Sequence, residues 1–361
     1  MTAGGRAGRW FKRAVLAVAA PLLVVGCLEV ALRAAGWGAP AGFFLPGRQA
    51  DGSLLLRANQ RFGWRFFPRA IARAPLDQAV RVPKPAGVRR VFVLGESAAL
   101  GDPIGNYSFT RMLDVMLRER CPGAKVELVN VAMTAINSHV VREIARACAA
   151  AEPDLFILYM GNNEILGPYG PGTTFRAFSG NLTYISANMF YRATRVGQLL
   201  DAAVQRAGGR TGMPEWEGLE MFSQTLVARD DPALDASYRH FEANLRDILD
   251  AAGEAGAATL VCTVAVNLRE CPPFASLHRP GLGEAELAAW TRAMDEGVAR
   301  EAEGDAAGAL EAYDKAYALD GEHAELRYRR AQCMERLGRD AMEEYAAARD
   351  LDALRFRTDS R

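Results

Sequence analysis

Hydrophobic positions along this chain change their period several times, and each change marks an element or a boundary. The run from Ala14 to Leu32 is apolar over 19 residues, with Glu29 near its far end, which is close to the ~20 residues a membrane-crossing helix needs. Between Gly36 and Pro85 the aromatics Phe43, Phe44, Phe62, Trp64, Phe66 and Phe67 are scattered among Gly, Pro and Arg without a sustained period. That composition predicts a connector over 35–85 that packs partly on the domain after it. A regular alternation then begins. Val91–Leu94, Val126–Val131, Leu155–Met160 and Thr259–Val266 read as strands, and Phe109–Arg120, Val140–Ala150 and Ala236–Ala252 as helices. Strands alternating with helices predict a parallel sheet covered on both faces, a three-layer α/β/α domain over 86–280. Gly167 to Pro232, with its Gly/Pro clusters, is expected to be a partly helical insertion near the functional edge.

From residue 281 to 361 the chain turns charged and alanine-rich, and it repeats. Ala309, Tyr313, Ala316, Leu319 and Asp320 recur as Ala341, Tyr345, Ala348, Leu351 and Asp352, at a spacing of 32. Small residues at crossing points with aromatics between them predict paired antiparallel helices. Two units are few for a free-standing solenoid, so they are expected to dock on the α/β domain.

Charge and composition narrow the partners. Half of the 361 residues are hydrophobic and 24% are charged, with 43 basic side chains balancing 43 acidic ones. No basic field exists to draw nucleic acid, which is excluded as a partner. Arg6, Arg9, Lys12 and Arg13 precede the first apolar run, which places residues 1–13 in the cytoplasm, a span over 14–34, and the main domain outside the cytoplasm, in the periplasm. Two alternatives stay open: Val24-Val25-Gly26-Cys27 resembles a bacterial lipobox, and a cleaved signal peptide has the same outline. Six cysteines at 27, 121, 148, 262, 271 and 333 form no CxxC pair, so neither a metal nor another cofactor is expected. Cys262 and Cys271 are the candidate disulfide, with free thiols the equal alternative.

The candidate chemistry begins at Arg90-Val91-Phe92-Val93-Leu94-Gly95-Glu96-Ser97. A buried parallel strand stops at Gly95 and delivers Ser97 to the carboxyl edge of the sheet, where ligands collect in open α/β folds. Two other strand ends should converge there: Asn130-Val131-Ala132-Met133-Thr134, and Gly161-Asn162-Asn163-Glu164. An acyl-transfer site needs donors aimed at a developing oxyanion, and the Asn163 side chain and turn N–H groups are of that type. Gly95-Glu96-Ser97-Ala98-Ala99 lacks the second glycine of a Gly-x-Ser-x-Gly elbow, and no strand-to-helix glycine loop suits a phosphate.

Together these segments resemble the SGNH, or GDSL-type, hydrolases, with Gly95-Glu96-Ser97 similar to the Gly-Asp-Ser block and Gly161-Asn162-Asn163-Glu164 to the Gly-x-Asn-Asp block. The resemblance covers roughly 90 to 273. It implies a flavodoxin-like parallel sheet, Ser97 as nucleophile with its own N–H as one oxyanion donor, and Asn163 as a second through its amide. Ala132, standing where the family has glycine, would be the third through its N–H. The implied activity is a serine esterase acting on O-acyl esters of cell-envelope carbohydrate or lipid, or an O-acyltransferase using the same residues. The repeat over 281–361 resembles the tetratricopeptide repeat, with Gly321 where that family usually has proline. A protein partner there, and a membrane-anchored non-catalytic scaffold, form the alternative function.

Serine at its own pKa is a poor nucleophile and needs a general base. The family places one in an Asp-x-x-His block after its last strand. Asp320-Gly321-Glu322-His323 matches that string, yet it falls at a turn between repeat helices, so a helix cap is the expected role. His139, in the segment leading into the second helix, and His278, in a Pro-rich loop, are the remaining candidates. The reading adopted is that the fifth strand and the catalytic Asp and His lie beyond residue 361, so that these 361 residues should show little or no esterase turnover.

Overall fold

The computed structural model describes residues 3–173, 178–207, 218–222 and 225–361. Its helices are α1 (Ala3–Ala34), α2 (Ser97–Leu100), α3 (Phe109–Arg120), α4 (Ser138–Ala149), α5 (Leu182–Ala193), α6 (Arg195–Ala207), α7 (Pro232–Glu254), α8 (Glu284–Ala302), α9 (Ala306–Leu319), α10 (Ala324–Arg336) and α11 (Met342–Asp350). Its strands are β1 (Phe44–Arg48), β2 (Leu54–Ala58), β3 (Ala79–Val82), β4 (Val88–Gly95), β5 (Lys125–Asn130), β6 (Leu155–Tyr159) and β7 (Ala258–Val261).

The residues of β4 explain the sheet. Phe92 and Leu94 point into a core shared with Val140, Val141 and Ile144 of α4 and Ile248 of α7. Val91 and Val93 face the other way, onto Ile157 and onto Phe109 and Leu113 of α3. A strand buried on both faces belongs in the middle of a sheet with helices on either side. The order is β5-β4-β6-β7, all parallel. The chain reverses direction across the sheet between β4 and β6, and a switch point of that kind opens a crevice at the carboxyl ends of those two strands.

Two sequence expectations change here. Thr259–Val266 is not all strand: pairing with β6 stops at Val261, with one further bond from Cys262 N to Leu158 O at 2.9 Å. β6 itself ends at Tyr159. The connector is also more than a tether. β1, β2 and β3 form an antiparallel sheet, and Phe43, Phe62, Phe66 and Phe67 are buried in the same cluster as Phe92. Short strands broken by Pro46 and Gly47 hide their alternation, and edge-to-face contacts between Phe43 and Phe62 (5.2 Å) and Phe62 and Phe66 (5.3 Å) take its place.

Helices α8 to α11 pack in chain order, each on the next, and the repeat positions are buried alike: Ala309, Tyr313 and Ala316 in the first unit, Ala341, Tyr345 and Ala348 in the second. The repeated aspartates fasten this segment to the loop after β7. Asp320 accepts from Arg279 N (3.2 Å) and His278 Nδ1 (2.8 Å), while Asp352 accepts from Phe274 N (3.0 Å) and Ala275 N (3.1 Å). All six cysteines are free, so the Cys262–Cys271 bridge is not formed. Helix α1 contains a 19-residue stretch, Leu16–Ala34, with a mean hydropathy of 2.0, long and apolar enough to cross a membrane.

Candidate active site

Gly95 sets the geometry at the end of β4. A Cβ there would lie 2.1 Å from the carbonyl oxygen of Tyr159 and 2.6 Å from the Ala99 side chain, so only glycine lets β4, β6 and α2 meet. The chain then turns at once into α2, and its first residue is Ser97. The turn is closed by the N–H groups of Gly101 and Asp102, which donate to Ser97 O at 2.9 and 3.1 Å. Asn130, at the end of β5, donates its amide to Ala99 O at 3.0 Å and ties the neighbouring strand to the same turn. Ser97 is left half-buried at the edge of a cavity of about 190 Å³.

Glu96 reaches across to β6. Its carboxylate is fully buried and accepts from Gly161 N (3.1 Å) and Asn163 N (3.0 Å). Burial, and after it the charge of Glu164, raise its pKa well above the ordinary carboxylate range, against the N–H bonds of Gly161, Asn163 and Asn162. Gly161 adopts φ 133°, a conformation glycine alone accepts readily. Asn163 is thereby held by its backbone, and its Nδ2 donates to Ile136 O at 3.1 Å. That nitrogen carries a second hydrogen. Asn163 and Ser97 line the same cavity from the ends of adjacent strands.

Ala132 does not join them. Its N–H donates to Asn130 Oδ1 at 3.1 Å, and the residue is buried with Val91, Val93 and Ile157 on the far side of the strand. The turn residues that line the cavity are Thr134 and Ala135. Ala135 has φ 61°, so the left-handed backbone that would favour glycine falls here, three residues later than the sequence expectation. The available signal was Asn130 itself, whose side chain can capture the N–H two residues on. The Thr134 hydroxyl is buried and has no partner among the described residues. Asp102 completes the polar lining, and Leu166, Phe222 and Phe356 form the apolar wall. Phe222 comes from the insertion and Phe356 from the segment after α11, and sequence reasoning assigned neither to the site.

None of the four histidines lines this cavity. His139 is buried on α4, accepting from Asn244 Nδ2 at 3.0 Å, and burial, then His240 and Arg142, push its pKa down to about 3. His278 pairs with Asp320, and His323 caps α10 by accepting from Leu326 N. The Asp-x-x-His string therefore does not form a dyad, and the aspartate's imidazole partner is 42 residues upstream. Beneath the cavity, Glu164 accepts from both the N–H and the hydroxyl of Ser138 at 2.7 Å, and burial raises its pKa to about 7.

A larger groove of about 760 Å³ adjoins Gly161 and Asn162. It runs along Val261 to Val264 and is bordered by Tyr238, Arg239, Arg355 and Arg357.

No family model and no curated protein matches the chain. Among solved structures it is similar to AlinE4, an SGNH-hydrolase family esterase, at 14% identity over 49% of this chain and 77% of that one, with a TM-score of 0.23. It is also similar to TesA, at 15% identity over 46% of this chain and 99% of that one, with a TM-score of 0.20.

Proposed function

We propose that this protein is a membrane-anchored, extracytoplasmic serine hydrolase of the SGNH type, acting on O-acyl esters. One observation carries the reading: a half-buried serine hydroxyl and a rigidly held asparagine amide line one cavity at the switch point of a parallel sheet. In the reaction Ser97 Oγ, giving its proton to a base, attacks the acyl carbonyl, and the carbonyl oxygen gathers charge as the tetrahedral intermediate forms. The free Nδ2 hydrogen of Asn163 and the Ser97 N–H meet that charge, and the turn at Thr134 and Ala135 supplies the remaining wall. The ester C–O bond then breaks to release the protonated alcohol, and water cleaves the acyl-serine to free the acid and restore the hydroxyl. Donors fixed before the reaction lower the barrier because nothing reorganises when the charge appears. The small cavity suits a short acyl group against Phe222 and Phe356, and the arginine-bordered groove suits the alcohol portion, a carbohydrate or a lipid headgroup. Transfer to a sugar hydroxyl in place of water would use the same atoms.

The serine proton needs an acceptor, and the cavity lining contains no histidine. That observation favours the second reading, a scaffold whose paired helices α8 to α11 recruit a partner in the manner of tetratricopeptide repeats. A chromogenic acetyl ester separates the two. In the enzyme reading, added imidazole stands in for the base, so hydrolysis by the wild type rises above that of Ser97→Ala as imidazole is raised. Asn163→Ala should cut that serine-dependent increment by about 10²–10³. Coincident rates for wild type and Ser97→Ala at every imidazole concentration would leave the scaffold.

A further inference from the structure

Helices α5 and α6 carry apolar side chains on their outer face that nothing in the described chain covers. On α5 Tyr184, Ala187 and Phe190 are exposed, and on α6 Leu200, Ala203, Val204 and Ala207. These positions recur at intervals of three and four, so each set forms one stripe along its helix. Phe190 is 73% exposed, Val204 70%, Tyr184 59% and Leu200 49%, whereas the inward positions Ile185, Met189, Val196 and Gly197 are buried.

The occupant of this face is set by where α6 begins. Both oxygens of Glu29 accept from the first N–H groups of α6, Arg195 N at 3.0 Å and Val196 N at 2.9 Å. Gln198 adds a reciprocal pair with the backbone of Ala39, at 2.8 and 3.0 Å. Glu29 lies five residues before the end of the apolar stretch at Ala34, which at 1.5 Å per residue is about 7–8 Å along the helix. Wherever that stretch crosses a bilayer, its own carboxylate therefore holds the start of α6 at the boundary between hydrocarbon and headgroups. An interfacial helix buries its apolar face to about 5–10 Å, which is the depth Glu29 imposes. Beside α6, exposed Arg61 and Arg69 flank Trp64 with their guanidinium carbons 5.2 and 4.7 Å from its ring, a pairing of aromatic and basic groups suited to the headgroup layer.

We propose that α5 and α6 form a second membrane contact, lying in the outer face of the bilayer that α1 spans, so that the cavity containing Ser97 is held at a fixed attitude to the lipid surface. The proposal rests on the anchor reading of α1. It commits to lipid as the occupant, because the face is fixed to the apolar stretch by Glu29, and to the residues just after that stretch by Gln198.

Full-length protein in vesicles of phosphatidylcholine and phosphatidylglycerol, with a diazirine on one acyl chain, tests it by photolabelling and peptide mapping. Adducts are expected on α1, on α5 around Phe190 and on α6 around Val204, and not on the exposed residues Val298 of α8 or Met342 of α11. The double variant Phe190→Glu with Val204→Glu should lose the α5 and α6 adducts and keep those on α1. Adducts on α1 with α5 and α6 as bare as α8 would overturn the second contact alone. Absence of adducts from α1 would overturn the anchor, and this contact with it.

Discussion

Glu96 precedes Ser97 in the chain, yet its carboxylate crosses to the next strand, where the N–H groups of Gly161 and Asn163 meet it. These two N–H groups each need an acceptor, one on each carboxyl oxygen, and they hold Glu96 in place against its burial and the repulsion of Glu164. Glutamine would turn its NH₂ toward one of those N–H groups, and a buried donor left without an acceptor costs about 1–3 kcal/mol. Glu96→Gln should therefore lower the unfolding free energy by about 1–3 kcal/mol, measured by denaturant titration. It should also reduce the imidazole-dependent increment in ester hydrolysis, because the Asn163 amide loses its backbone support. Glu96→Gln with wild-type stability and an unchanged increment would show that the loop is held by something else. Ala135 is the counterpart at the β5 end, a residue placed in the left-handed region by its surroundings and not by its own preference.

At the level of elements, two groups meet at the start of α4, Glu164 against Ser138 and the buried His139, and their titrations oppose each other. Glu164, which holds Ser138 at the start of α4, has its pKa raised to about 7, so the folded state takes up a proton that the unfolded state does not as pH falls from 7 toward 4.5. That uptake stabilises the fold on acidification. His139, one residue along, is held neutral with its pKa near 3, so below 6.5 the unfolded state takes the proton and stability falls. Between pH 7 and 5 each effect amounts to about 2 kcal/mol, and they nearly offset. Glu164→Gln removes the first, so over that range its stability should drop by about 2 kcal/mol more than that of the wild type. Equal pH slopes for the two proteins in denaturant midpoints would refute this pairing. The same elements show what the sequence made legible. β4 and α3 stand where periodicity placed them because burial on one face or both writes itself into the residue pattern. β1 escaped because Pro46 and Gly47 break its alternation, and β2 and β3 because four or five residues are too short to show one. The conformation of Ala135 escaped because alanine does not signal a left-handed backbone as glycine would. Phe222 and Phe356 escaped because their place beside Ser97 is set by contacts more than 100 residues away in the chain.

Across the whole molecule, the helical segment and the α/β body share one loop. Asp352 accepts from Phe274 N, Ala275 N and Leu354 N and pairs with Arg357 at 3.0 Å, and Arg357 donates to Cys271 O at 2.6 Å. Asp320 does the same for His278 and Arg279 one repeat earlier. Just after the second pin the chain carries Phe356 back to the wall of the Ser97 cavity, where it meets Phe222 edge-on at 5.5 Å. The repeat thus serves the site by position, since the second aspartate fixes the loop and the segment that closes the cavity. Removing it leaves the buried Leu354 N–H, the part-buried Phe274 and Ala275 N–H groups and the largely buried Arg357 guanidinium without that carboxylate, and breaking a buried pair of this kind costs about 3–5 kcal/mol. Asp352→Ala should convert a single calorimetric unfolding transition into two, the helical segment separating from the body, and trypsin should then cut first in the loop around Arg269 and Arg279. Asp320→Ala, farther from the cavity, should loosen the same loop while leaving the serine-dependent increment of ester hydrolysis closer to the wild-type level than Asp352→Ala does. A single transition at an unchanged temperature in Asp352→Ala would mean that the two parts are joined by apolar packing alone, and the coupling of the repeat to the cavity wall would have to be abandoned.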